Sequence, residues 1–210
     1  EEAIYRALAL RCLELPVGDF ISHSLKREVP DAARQILEMN IKDEENHDLA
    51  LNYAVKALGT DEKAEREAQI LKKAWEEHED HTIVKAMVAE RSVFFCLLPF
   101  FRYAGDAGLR TISADISRDE QIHVATNSLV CRELGLNPSK SLNKLRKATV
   151  DWVFQPLQAE NTDKFLAKNF WHSQSDSLFE KGIAEGFSNT RSARMPAFFE
   201  HSNVNLPQYA

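Results

Sequence analysis

The chain has 210 residues, a net charge of −6 and a hydrophobic fraction of 44%. That length suits one sizeable hydrophobic core rather than two. Acidic and basic residues are interspersed, so the charge predicts neither nucleic-acid binding nor attachment to a membrane. No apolar run approaches the roughly 20 residues of a bilayer span, and the first residues do not resemble a signal peptide. Three scattered cysteines exclude a disulfide framework, so we predict a cytoplasmic protein.

Hydrophobic residues recur at helical spacing along most of the chain, and no segment alternates like a β-strand. The first predicted helix contains Pro16 and Gly18, which should bend it. The second should begin near Pro30 and end at Gly59. The other predicted helices cover about 60–81, 83–103, 109–134, 140–158 and 162–184. We predict one all-α domain over residues 1–186 and an irregular tail over 187–210.

The helix predicted over about 60–81 is highly charged and has a thin apolar face. We therefore expect it to lie outside the metal-bearing core. His78 and His81 lie among acidic residues near its end. A solvated helix face explains these two histidines more simply than a metal site does.

Two Glu-x-x-His motifs stand in predicted helices: Glu44-x-x-His47 and Glu120-x-x-His123. Residues three apart lie on the same face of a helix, so each motif directs a carboxylate and an imidazole to one point. A lone Glu-x-x-His sequence is common on solvated helices. Here, however, both motifs occupy positions that their helices would otherwise give to the core.

Glu14 and Glu90 each precede one of these motifs by about thirty residues and also occupy core-facing positions. A buried carboxylate costs several kcal/mol unless it is paired or bound to a metal. Four carboxylates and two imidazoles on four helices are the ligand set of a carboxylate-bridged dinuclear site in a ferritin-like bundle. Such ligands suit iron and manganese. We therefore predict an all-α, ferritin-like bundle with two metal ions in its four-helix core.

Three further acidic residues lie beside the motifs. Asp43 and Glu45 flank Glu44 without sharing its spacing to the histidine, so we expect both to be solvated. Asp119 directly precedes Glu120 and could bind a ligand histidine through its other ring nitrogen. An exposed surface position is the alternative for Asp119.

These motifs resemble those of the small, radical-generating (β) subunit of class I ribonucleotide reductase. The stretch 117–123 is similar to that family's RDExxH motif, and 90–95 resembles the helix that carries its third carboxylate. The stretches 14–18, 29–35 and 44–47 resemble its first metal half. The resemblance covers roughly residues 1–135.

The resemblance implies a set of metal ligands, namely Glu14, Glu44, His47, Glu90, Glu120 and His123. The implied cofactor is a pair of metal ions, Mn/Fe or Fe/Fe, activated by O₂. The resemblance gives Asp119 a place in a proton-coupled electron path. It also implies two partners: a second copy of the chain, and a large subunit in which the oxidising equivalent starts ribonucleotide reduction.

The chain departs from this family at one informative position. Many members store the radical on a tyrosine four residues after the first ligand histidine, where this chain has Leu51. We therefore expect a metal-held oxidant, with storage on Tyr53 or Tyr103 as the alternative. Tyr53 should point about 200° away from Leu51 and be a half-buried packing residue. Tyr209 could relay an electron to the partner subunit, with a disordered chain end as the alternative.

Two other functions are compatible with a dimetal site. A stand-alone oxygenase or oxidase would need a pocket for an apolar substrate, which Phe94, Phe95, Phe100 and Phe101 could line. A non-catalytic iron-storage or structural bundle would instead assemble into a cage or hold inert metal.

Overall fold

The computed structural model describes residues 1–27 and 29–184, so Tyr209 and the tail predicted over 187–210 lie outside the described residues. Within these ranges the chain is helical, and its only β-type contact is an isolated bridge between Gln158 and Ala167. The prediction of an all-α protein is thus confirmed. None of the helices in the described ranges has both the length and the apolar character to cross a bilayer.

The helices are named in chain order. They are α1 (Glu2–Ala9), α2 (Glu14–Leu25), α3 (Asp31–Leu58), α4 (Glu62–Glu77), α5 (Thr82–Ala89), α6 (Phe95–Ala104), α7 (Ala107–Glu133), α8 (Lys140–Phe154) and α9 (Lys168–Ala184). A 3₁₀ segment, Leu10–Leu13, joins α1 to α2, and a π-helical segment, Glu90–Phe94, joins α5 to α6. A short 3₁₀ turn, Lys164–Leu166, precedes α9.

The first helical stretch changes its geometry before Pro16 rather than at it. Pro16 lies in the first turn of α2, where the missing N–H is tolerated. A proline ring crowds the carbonyl four residues earlier, and here that carbonyl belongs to Cys12 in the 3₁₀ segment. The irregular geometry associated with Pro16 thus lies in the turn before it. As a result, Glu14 is the first residue of a regular helix.

The stretch from α5 through the π-helical segment to α6 is the central helix of the protein. Every residue from Ile83 to Arg102 is buried. Charged residues inside this stretch find partners on neighbouring helices. The ammonium of Lys85 donates to the carbonyl of Glu76 at the end of α4, and Nε of Arg91 donates to the carbonyl of Leu178 in α9. The central helix is thereby tied to elements on both sides.

The α4 helix ends at Glu77, earlier than predicted, and His78 and His81 lie in the turn that follows. Nδ1 of His78 accepts a hydrogen bond from the backbone N–H of Asp80. Nδ1 of His81 accepts one from the backbone N–H of Ile83 and so caps α5. The interpretation of these histidines as a solvated helix face is therefore wrong, because both stabilise the turn between two helices.

Four helical elements enclose one interior. The α2 helix packs on α3 and on α5, and α7 packs on the same two helices from the other side. The π-helical segment continues α5 and also contacts α7. This closed ring carries all of the predicted metal ligands. The α4 helix packs on α1, on the Leu10–Leu13 segment and on α8.

Candidate metal centre

The structure brings all six predicted ligands together in the ring of helices. Their exposed fractions are 3% or less, and they are Glu14, Glu44, His47, Glu90, Glu120 and His123. We call these six residues the metal centre. Glu14 begins α2, and Glu90 begins the π-helical segment. The two Glu-x-x-His motifs lie in the regular helices α3 and α7.

The metal centre divides into two overlapping ligand groups. Glu14 and His47 belong to one group, and Glu90 and His123 belong to the other. Glu44 and Glu120 belong to both, and within each group the ligand atoms lie within 4.8 Å of one another. Each group could hold one cation, so the shared carboxylates are placed to bridge two.

Both histidines turn Nδ1 toward this interior. Nδ1 of His47 lies 3.4 Å from Oε1 of Glu120 and 3.6 Å from Oε2 of Glu44. Nδ1 of His123 lies 3.0 Å from Oε1 of Glu44 and 3.7 Å from Oε2 of Glu120. The two rings are 5.8 Å apart between centroids and tilted by 31°.

The outer ring nitrogens are held by two carboxylates, which we call the outer carboxylates, Asp43 and Asp119. Nε2 of His47 lies 3.2 Å from Oδ2 of Asp119, and Nε2 of His123 lies 3.0 Å from Oδ2 of Asp43. Each bond crosses between α3 and α7. Such partners fix the ring orientation and the tautomer that leaves Nδ1 for a metal.

The expectation that Asp43 is solvated is therefore wrong, whereas the expected contact of Asp119 with a ligand histidine is present. The sequence did carry a signal for Asp43. Both motifs read Asp-Glu-x-x-His, so Asp43 stands before Glu44 as Asp119 stands before Glu120.

Asn127 is a further functional residue that sequence reasoning missed. Its side-chain N–H₂ donates to Oε2 of Glu90, and the side chain is fully buried. Asn127 lies one helical turn after His123, so its position on the ligand face of α7 was visible in the sequence. This hydrogen bond orients Glu90 and leaves its other oxygen, Oε1, toward the interior.

Several buried atoms of the metal centre have no hydrogen-bond partner within the described residues. They are Oε2 of Glu14, both carboxylate oxygens of Glu44 and of Glu120, Oε1 of Glu90, and Nδ1 of His47 and of His123. Among them, Nδ1 of His123 and Oε1 of Glu44 lie 3.0 Å apart and form an ion pair only when the imidazole is protonated. A buried polar atom left without a partner costs about 1–3 kcal/mol. Atoms of this kind that converge on one interior indicate a shared partner, and oxygen with imidazole ligands suits iron or manganese.

The histidines and Glu44 also stabilise one another's charges. Burial lowers the pKa of His123, but the carboxylates of Glu120 and Glu44 raise it by more, to about 12. The pKa of His47 is likewise raised, because the surrounding carboxylates outweigh the effect of burial. Burial raises the pKa of Glu44, but His123 and His47 lower it by more, to about 2. A cation that binds here therefore competes with protons on both imidazoles.

The pKa values of Glu14 and Glu90 are raised, whereas that of Glu44 is lowered. Burial raises the pKa of Glu14, and His47 only partly opposes it. Burial raises the pKa of Glu90, and the nearby carboxylates of Glu120 and Glu44 raise it further. Without a cation, these two carboxyl groups favour their neutral form.

Leu51, at the position of the usual radical tyrosine, and the two alternative tyrosines occupy different environments. Leu51 is buried beside the metal centre. Tyr53 is 59% exposed, so the expectation of a half-buried packing residue is wrong. Its position on α3 faces away from the ring, and the ammonium of Lys56 lies over the tyrosine ring. Tyr103 is half-buried at the end of α6, and its hydroxyl donates to the carboxylate of Asp163.

A small cavity of about 10 Å³ adjoins Glu14. Leu51, Phe94 and Phe101 line it, together with Arg11 and apolar residues of α1, the Leu10–Leu13 segment and α6. A volume of this size is close to the minimum for one water molecule and far below that of a drug-sized ligand site. Phe100 packs instead against Phe154 and Trp171.

The α2 helix lies close to Glu44 at Gly18. A Cβ atom at Gly18 would lie 3.4 Å from Cβ and 3.7 Å from Cγ of Glu44, which is ordinary contact. Gly18→Ala should therefore be tolerated and should stabilise the fold by about 0.4–1 kcal/mol. Gly18→Val adds two methyl groups against Glu44 and should cost about 1–3 kcal/mol through overpacking.

Denaturant unfolding of the metal-free variants measures both effects. A metal titration of Gly18→Val should also show weakened binding, because Glu44 is displaced. Equal stability of the valine and alanine variants would contradict the close approach of α2 to Glu44.

Comparisons with known proteins add no assignment. Neither a family model nor a curated protein nor a solved structure matches this chain.

Proposed function

We propose that this chain is the small subunit of a class I ribonucleotide reductase, in a ferritin-like fold. One observation carries the proposal: two ligand groups share Glu44 and Glu120. Glu14 and His47 complete one group, and Glu90 and His123 complete the other. Each group therefore contains the glutamate and the Glu-x-x-His motif of one half of the sequence pattern, together with the shared glutamate of the other half. The resemblance of residues 1–135 to the reductase small subunit selects this function among those of dimetal proteins.

In this proposal, Glu14 and His47 hold one metal ion, and Glu90 and His123 hold the other. The pair, as Mn/Fe or Fe/Fe, supplies a one-electron oxidant after activation by O₂. The protein's own residues hold the ligands in place: the outer carboxylates orient the imidazoles, and Asn127 orients Glu90. Four carboxylates balance the charge of two divalent ions.

The apolar wall beside Glu14 suits the storage of an oxidant on the metals. Leu51 and Phe101 are not readily oxidised, and the cavity that they line holds at most about one water molecule. Tyr103 lies thirteen residues beyond Glu90, about 20 Å along a nearly continuous helix. We therefore retain the metals as the site of the oxidant, with Tyr103 as the alternative.

Reconstitution with the cognate large subunit tests the proposed function. The chain, loaded aerobically with manganese and iron or with iron alone, should support formation of deoxyribonucleotides only when the large subunit is present. The Glu120→Ala variant is the matched negative control. Metal-loaded protein that supports no turnover with its large subunit would end the reductase assignment while leaving the metal centre intact.

The same samples report where the oxidant resides and how the chain assembles. We expect an EPR signal from coupled metals, and a tyrosyl signal would instead favour Tyr103. Sedimentation equilibrium should show a homodimer.

A stand-alone oxygenase or oxidase is the second candidate. It shares the metal centre, but the cavity next to Glu14, at about 10 Å³, has no room for an organic substrate. Consumption of O₂ coupled to product formation from an apolar substrate, without any large subunit, would favour this candidate.

A further inference from the structure

We propose that divalent cations reach the metal centre across the seam between α3 and α7, where the outer carboxylates Asp43 and Asp119 form the uptake site. The inference rests on the metal centre of the proposed function, but it does not depend on reductase activity.

The outer carboxylates are the exposed end of a continuous set of metal-binding groups. The side chain of Asp119 is 48% exposed and that of Asp43 is 31% exposed, whereas the histidines that they contact are 3% and 1% exposed. A hydrated cation can therefore meet these carboxylates at the surface. Carboxylate oxygens are suitable first ligands for Mn²⁺ and Fe²⁺.

Each imidazole spans the distance between the uptake site and the interior. Nε2 of His123 contacts Asp43, and its Nδ1 lies 3.0 Å from Glu44. Nε2 of His47 contacts Asp119, and its Nδ1 lies 3.4 Å from Glu120. The two rings thus form the wall between the exposed carboxylates and the unpartnered oxygens behind them. In this proposal, a cation passes inward when one of these rings rotates.

The opposite side of the metal centre is poorly suited to a cation. The cavity beside Glu14 is lined by apolar side chains and by the guanidinium of Arg11. Arg11 is itself engaged by Glu65 at 2.6 Å and by Asn52 at 2.9 Å. A cation on this route would lose its water before it reached the oxygens of Glu14, and that loss is costly. The seam instead offers carboxylate oxygens at the surface, with the two imidazoles and then the buried carboxylates behind them.

Stopped-flow uptake of Co²⁺ by the metal-free protein tests the route, because bound Co²⁺ reports through its visible absorption. We expect Asp43→Asn and Asp119→Asn to slow uptake by about 10-fold each, since both remove a ligand and a charge from the seam. Uptake by the unaltered protein should also slow as ionic strength rises from about 10 mM to about 200 mM.

Glu45→Gln is the matched control, because it removes the same charge two residues from Asp43 on an exposed face of α3. Its uptake rate should equal that of the unaltered protein. Asp119→Glu should restore much of the rate lost in Asp119→Asn, since it restores the carboxylate. Circular dichroism of each metal-free variant establishes that it is folded.

The release rate separates uptake from simple positioning of the histidines. If the outer carboxylates only orient the imidazoles, their removal should speed release to a chelator and leave uptake unchanged, and that result would overturn the proposal. An uptake rate that does not respond to salt would also overturn it. A chain that binds no Co²⁺ at all would instead end the proposed function together with the route.

Discussion

Replacing Glu44 with alanine should abolish binding of both metal ions, whereas replacing Glu90 with alanine should remove only one. Glu44 belongs to both ligand groups, and Glu90 belongs to one. The loss at Glu44 should exceed the roughly 10- to 100-fold weakening that follows removal of an outer partner of a ligand. Metal analysis after gel filtration should give about two ions per chain for the unaltered protein, about one for Glu90→Ala and almost none for Glu44→Ala.

Glu45→Ala supplies the control, because it removes the neighbouring exposed carboxylate and should leave both ions in place. Circular dichroism of the metal-free Glu44→Ala protein shows whether the helices persist. Retention of two ions by a folded Glu44→Ala protein would show that Glu44 does not bridge the two positions.

Raising the pH should strengthen metal binding steeply. The pKa of His123 is raised to about 12 and that of His47 is also raised, so both imidazoles favour the protonated form when no metal is bound. A metal that binds Nδ1 displaces these protons. Loss of the two imidazole protons alone raises the affinity for the pair by about 100-fold per pH unit. Any proton displaced from Glu14 or Glu90, whose pKa values are also raised, steepens this dependence. Calorimetry in buffers of different ionisation enthalpy measures the number of protons released.

The stability of the metal-free protein should have its own pH dependence. Because the pKa of His123 is raised, its contribution to stability is fully present below its ordinary value of 6.5 and is lost as pH rises toward about 12. The pKa of Glu44 is lowered to about 2, so its contribution is present above its ordinary value of 4.5 and is lost below it. Thermal unfolding of the metal-free protein should therefore show these contributions declining above pH 6.5 and below pH 4.5. A metal affinity that is independent of pH would contradict the protonated imidazoles.

The clustering of the six candidate ligands was predictable because their signal is local. A glutamate and a histidine three residues apart share a helix face whatever the tertiary structure, and an apolar stripe shows which face is buried. The same reasoning predicted the helices that carry the ligands. It was sufficient to find Glu14, Glu44 and Glu90 at buried positions.

The role of Asp43 depends on how α3 and α7 pair. Asp43 reaches His123, which is 80 residues away in the sequence, and this contact follows from the packing of two distant helices. Periodicity within α3 does not contain that information. The high exposure of Tyr53 and the 3₁₀ geometry of Leu10–Leu13 likewise result from packing and from proline sterics rather than from hydrophobic spacing.

The crossed bonds between α3 and α7 make each half of the chain dependent on the other. The first half supplies His47 but takes the partner of that histidine from Asp119, and the second half supplies His123 but takes its partner from Asp43. Neither helical pair, expressed alone, would contain a complete set of ligands. Metal binding thus acts as a long-range crosslink that favours the native topology over every arrangement in which the two halves are undocked. The metals would consequently contribute most to the cooperativity of folding, since they stabilise only the state in which residues about 80 positions apart are already in contact.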